Sequence, residues 1–178
     1  MAGKRATESG DSKIEVHAAF DELWDIGRLK PNPQNPNKHP EKQIARLAKI
    51  IKEQGWRAPI TVSTRSGFIV RGHARLEAAQ LLDLKQVPID LQDYKSDALE
   101  LADLVADNRI AELAETDMVG LKDILESLDT GIIDMEITGF DLGEIEDLMT
   151  QFHVPETEPE YDENIETKTK CPKCGYEW

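Results

Sequence analysis

The chain has 178 residues, a mass of 20.0 kDa and a formal net charge of −14, with 31% of residues charged and 6% aromatic. That length builds one core with appendages rather than two full domains. No apolar run approaches the roughly 18 residues needed to cross a bilayer, the opening MAGKRATESGDSK lacks the apolar stretch of a secretory signal, and two cysteines are too few for a disulfide framework, so a cytoplasmic protein is expected.

Residues 1–13 are polar and charged and read as a flexible tail. Apolar positions in 14–30 lead into a first strand near Trp24–Leu29. The next stretch, LKPNPQNPNKHP, has four prolines in twelve residues and reads as a stiff loop. Pro40 fits the first turn of a helix whose Ile44, Leu47, Ala48 and Ile51 share a face, with Gly55 as its C-terminal cap. Ile60–Thr64 and Phe68–Val70, around Arg65–Gly67, read as a β-hairpin. Val70-Arg71-Gly72 then passes straight into a helix striped by Leu76, Ala79 and Leu82, and a strand follows near Val87–Leu91.

Asp97 and Glu100 have capping-box spacing for a helix running to about Ile110. Two further helices are expected, at about 117–128 and 141–152, the second opening with the capping-box pair Asp141 and Glu144. Short strands alternating with helices predict a compact α/β domain over 14–115 with a small mixed sheet. A helical extension follows over 116–152, then an acidic linker over 153–168 and a C-x-x-C tail over 169–178.

Charge is unevenly placed. Residues 28–75 hold eleven Lys or Arg and two acids, a net of +9, whereas residues 76–178 carry a net of −20. A cationic block in an acidic chain points to a local anion site, such as nucleotide phosphates or a DNA backbone, and against broad coating of duplex DNA. Lys42, Arg46, Lys49 and Lys52 recur at helical spacing inside that block and are the candidate DNA contacts.

The strand–turn–helix at Val70–Arg75 is the candidate phosphate site. Gly72 permits a tight turn and close ligand approach, the helix start offers N–H donors, and Arg71, His73 and Arg75 surround it. The competing reading is a plain turn with exposed arginines. No GK[ST] motif of a Walker-type loop occurs. Cys171 and Cys174, in CPKCG, have the spacing of half a zinc ribbon; of the two further ligands a tetrahedral site needs, His153 is a candidate for one, and a second copy in a homodimer would supply both. The competing reading is an unstructured tail. His17 and His39 read as structural or solvated.

Three segments, IGRLKPNPQNPNKHPEKQIARLAKIIKEQGWRAPITV, GFIVRGHARLEAAQLLDLKQVPI and ALELADLVADNRIAELAETD, resemble in order the N-terminal domain of the ParB/sulfiredoxin superfamily. GHARLEAA and LADNRIAELAETD are most similar to phage and prophage members associated with DNA methyltransferases. The resemblance implies a nucleotide-binding fold, with a nucleoside triphosphate (CTP or ATP) and Mg2+ as cofactors. In partition proteins a Gly-x-Arg-Arg turn holds CTP phosphates, and a later Glu-Asn-x-x-Arg-like segment completes the site. Gly72 and Arg75 match the turn, Asn108 matches the later asparagine, and Arg109 lies beside it. His73, Ala74 and Ala58 stand where partition proteins carry Glu, Arg and Gln. The turn has no cysteine, so sulfiredoxin chemistry is excluded.

Three functions stay open at this point. One is a module binding nucleotide or DNA phosphates in DNA modification, partition or regulation. Another is a nucleotide hydrolase or phosphotransferase using the same pocket. A third is an adaptor for a methyltransferase or terminase.

Overall fold

The computed structural model describes residues 5–8, 13–151 and 171–176. The expected acidic linker, 153–168, and His153 lie outside the described residues. Strand β1 (Arg5–Glu8) pairs antiparallel with β2 (Lys13–Val16), so part of the stretch expected as a flexible tail is a hairpin. Beyond it lies a four-stranded mixed sheet of β3 (Glu22–Asp25), β4 (Ile60–Ser63), β5 (Ile69–Arg71) and β6 (Gln86–Gln92), in the order β3-β6-β4-β5. Strand β6 runs antiparallel to β3 and parallel to β4, and β5 closes a hairpin with β4.

The first sheet strand ends earlier than its residues suggest. Asp25 pairs with Gln86, the first residue of β6, and past it the Ile26 N–H still donates to the Lys85 carbonyl at 2.9 Å. Residues Ile26–Arg28 instead form a 3-10 turn.

Helix α1 (Glu41–Gln54) buries Ile44, Ala48 and Ile51, the face that its spacing predicts. Pro40 is its N-cap, one position ahead of the first turn. Gly55 ends it at φ +74°, and a Cβ there would stand 2.6 Å from the carbonyl oxygen of Glu15, so glycine is required where the chain passes β2. Trp56 follows, fully buried, with its backbone N–H on that same carbonyl. Helix α2 (His73–Leu81) lays Leu76, Ala78 and Ala79 against the sheet and packs on α1.

Helix α3 (Asp97–Glu112) is attached differently. Ser96 is its N-cap, accepting from the N–H of Leu99, so the cap lies one residue before Asp97 and the capping box expected of Asp97 and Glu100 does not form. Of its sixteen residues only Glu100 and Leu104 are buried. The Glu100 carboxylate accepts from the hydroxyls of Ser63 (2.6 Å) and Ser66 (2.5 Å), which ties the helix to the β4–β5 turn.

Helices α4 (Met118–Leu128) and α5 (Leu142–Gln151) form the extension. Leu125, Met135, Ile145 and Leu148 make a small apolar cluster of their own, separate from the main core. The Asp141–Glu144 capping box is present, each side chain accepting from the other's backbone N–H at 2.9 and 2.8 Å. No described helix is long and apolar enough to cross a membrane.

Candidate functional site

The β5–α2 turn is built around Gly72, which sits at φ +94° and ψ 29° as the N-cap of α2. A Cβ at this position would lie 3.2 Å from Nη1 of Arg75 and 3.4 Å from Cα of Ile60, so conformation and space both favour glycine. No side chain caps α2 and no acid occupies its first turn. Its first N–H groups therefore lack the acceptors that a helix start normally borrows.

A cavity of about 190 Å³ opens over this turn. The proline-rich loop contributes Asn35 and His39, α1 contributes Leu47, the turn contributes Val70 to Arg75, and α3 contributes Asp107 and Asn108. Arg71, Gly72, His73, Arg75 and Asn108 are thus brought together as the sequence predicts. Arg109 is not. It is exposed, paired with Glu112 at 2.9 Å, and absent from the cavity lining. Adjacent helix residues point about 100° apart, so a helix that turns Asn108 inward turns Arg109 away.

The cations divide into two states. Arg71 donates to Asp103 and lies 3.5 Å from Asp107, and its hydrogen bond to Asp103 raises its pKa. Burial pushes the Asp103 carboxyl up, but hydrogen bonds from Arg71 and from Tyr94 (2.7 Å) outweigh it and hold the group below its ordinary value. Arg75, in contrast, has no ion pair among the described residues. Its one hydrogen bond there runs from Nη1 to the carbonyl of Pro59, at 3.5 Å. Burial lowers its pKa, and the nearby charge of Asp107 acts in the opposite sense.

His73 is not a cationic donor. Burial, then the charge of His39, lowers its pKa, and its Nε2 accepts the backbone N–H of Asn32 at 3.2 Å, which requires a free lone pair there. The residue holds the proline-rich loop against the start of α2. His39, expected to be structural or solvated, lines the cavity and shares a hydrogen bond with Gln43 at 3.1 Å. His17 lies 3.5 Å from Glu15, away from the site. Asp107 was not singled out in the sequence; the available signal was its place directly before Asn108, in the position of the glutamate of the Glu-Asn segment.

The basic stripe of α1 has occupants of its own. Lys42 and Arg46 each contact Asp141 at 2.7 Å, and Arg46 also meets Glu144 (2.9 Å) and the carbonyl of Gly139 (2.9 Å). Lys49 pairs with Asp134 (2.6 Å) and with Glu136. Lys52 is exposed. The hydrogen bond from Lys42, then the N–H of Glu144, hold the Asp141 carboxyl at about 2.

In the tail, Gly175 at φ +79° donates its N–H to the carbonyl of Cys171 (2.9 Å), and the Cys171 N–H donates to Tyr176 (2.7 Å). The N–H groups of Lys173 and Cys174 lower the Cys171 thiol pKa. Among the described residues no group of three or more His, Cys, Asp or Glu is placed to hold a metal.

Residues 12–108 match the ParB N-terminal domain. The chain is 36% identical over 64 residues to the ParB-like nuclease domain-containing protein YnaK of Escherichia coli (strain K12), covering 36% of this chain and 72% of that protein. It is 26% identical over 95 residues to a probable chromosome-partitioning protein ParB of Rickettsia prowazekii, covering 52% of this chain and 33% of that one. The fold is similar to that of the C-terminally truncated chromosome-partitioning protein ParB from Caulobacter crescentus, crystallised with CTP-gamma-S. There the TM-score is 0.61 at 24% identity, over 76% of this chain and 79% of that one. With more than half of its length matched, and with this mixed sheet and cradle, the chain belongs to the ParB N-terminal domain family.

Proposed function

We propose that the chain is a binding module that holds the phosphates of a nucleoside triphosphate at the start of α2 and serves a DNA-directed process. The observation that carries this reading is Arg75. A partly buried guanidinium with no ion pair among the described residues is costly, and a phosphate beside the open N–H groups of α2 supplies a close anion. CTP-gamma-S in the Caulobacter protein of like fold supports a nucleotide as the ligand.

Asp107 gives the cavity a carboxylate suited to the Mg2+ that accompanies a triphosphate. The same group favours a second reading, a nucleotide hydrolase or phosphotransferase, since that chemistry needs a metal or base beside the phosphates. DNA would meet the α1 face of Lys42, Arg46, Lys49 and Lys52, where cations at helical spacing match a phosphate backbone. The Cys171–Cys174 turn suits two positions of a structural Zn2+ site, with an identical pair from a second copy completing it. A phage or prophage setting, and a DNA methyltransferase or terminase partner, rest on the resemblance of GHARLEAA and LADNRIAELAETD.

Thermal-shift measurements with each nucleoside triphosphate, with and without Mg2+, test the reading. Stabilisation by at least one is expected. No shift with any of them, at concentrations far above physiological, would leave an adaptor as the better account.

A further inference from the structure

The four acids that meet the α1 stripe come from one short stretch of the extension, Asp134 to Glu144, roughly ninety residues further along the chain. Contact here is mostly polar. Besides the ion pairs, Gln54 donates to the carbonyl of Ile137 (3.1 Å) and Arg46 to that of Gly139 (2.9 Å). The apolar cluster of the extension is internal to it, and a cleft of about 450 Å³ remains between α1 and the Gly139–Glu144 stretch. The two parts are therefore held by charge more than by close packing.

We propose that the Asp134–Glu144 segment is an internal acidic occupant of the α1 face, competing with DNA phosphates for Lys42, Arg46 and Lys49. The inference rests on the reading of that face as the DNA contact. Carboxylates spaced along the segment meet the same ammonium and guanidinium groups that a phosphate backbone would meet, so the two cannot be satisfied together. These pairs are partly exposed, with side-chain exposures from 26% to 70%, and such pairs are individually weak and screened by salt. A face held closed in this way opens at modest cost, and the apparent DNA affinity is the intrinsic affinity multiplied by the fraction of molecules in which it is open.

The test uses the full chain and a fluorescent 20-base-pair duplex, read by polarisation. In one variant Asp134→Asn, Glu136→Gln, Asp141→Asn and Glu144→Gln remove the four charges, while the amide side chains introduced at positions 141 and 144 keep the acceptors of the capping box. That variant is expected to bind the duplex about tenfold more tightly than wild type. Adding Lys42→Glu, Arg46→Glu and Lys49→Glu to it should abolish the gain. If the neutralised variant binds no more tightly than wild type, and binding still depends on the three cations, the internal occupant is overturned while the DNA reading stands. If the triple reversal leaves binding unchanged, or neither protein binds the duplex, the DNA reading fails and takes this inference with it.

Discussion

The backbone N–H of Asn32 donates to Nε2 of His73 at 3.2 Å, joining the proline-rich loop to the first residue of α2. Asn32 is itself buried, and its Oδ1 accepts the N–H of Gln34 at 2.9 Å, so the loop is pinned at one point directly beside the cavity. Titration of this histidine therefore acts on the loop and on the cavity together.

Burial, then the charge of His39, lowers the His73 pKa below its ordinary value of 6.5. Between those two values the unfolded chain binds more protons than the folded one, so stability is full above pH 6.5 and falls as pH drops through the folded pKa. Protonation also removes the acceptor of the Asn32 N–H, a loss of about 1 kcal/mol. Melting temperatures of wild type and His73→Gln from pH 5 to pH 8 check this. The wild type should lose stability on acidification more steeply than the variant, and parallel curves would count against the linkage.

Glu100 should be a strong anchor for α3. It is 3% exposed and is the acceptor for both Ser63 and Ser66. Glu100→Ala leaves two hydroxyls without that acceptor and should cost about 2–3 kcal/mol in urea unfolding. Glu100→Gln keeps one carbonyl acceptor and should cost less. An alanine variant as stable as wild type would show that α3 is held by other contacts.

Much of the fold was legible because its signals are local. The α1 face, the β4–β5 hairpin, the Gly72 turn and the Asp141–Glu144 cap all follow from periodicity or turn chemistry within a few residues. What was hidden depends on partners distant in sequence. Glu100 looks like a first-turn acid until Ser63 and Ser66, more than thirty residues earlier, are folded against it. Likewise the α1 stripe looks like a free cationic face until residues 134–144 are in place, and the occupation of Arg71 requires Asp103 and Asp107. The extent of β3 depends on its pairing with β6, more than sixty residues away, which its own residues do not encode.

Gly72→Ala places a side chain at φ +94° and within 3.2 Å of the Arg75 guanidinium. Such a left-handed position costs a non-glycine residue about 1–2 kcal/mol, and the added methyl group also displaces Arg75. Both a lower melting temperature and loss of nucleotide binding are expected. A variant that melts early yet binds nucleotide like wild type would separate the turn from the ligand site.

Protein prepared without affinity tags should carry about half an equivalent of zinc per chain if two copies share a four-thiolate site. Mass-spectrometric metal analysis checks the content, and Cys171→Ser with Cys174→Ser should remove it. Metal-free protein with both thiols freely reactive would set the zinc site aside.

The most direct test of the phosphate site is isothermal titration of CTP and of ATP, each with Mg2+, into wild type, Arg75→Ala and Arg75→Lys. Wild type should bind at least one of them. Removing a charged hydrogen-bonding partner of the phosphates costs about 1.5–3 kcal/mol, so Arg75→Ala should bind at least about tenfold more weakly with its fold intact. Arg75→Lys should recover part of that loss, since an ammonium keeps the charge but not the planar fork. Equal affinity in wild type and Arg75→Ala, or no binding by wild type, would contradict a phosphate site at the Gly72–Arg75 turn.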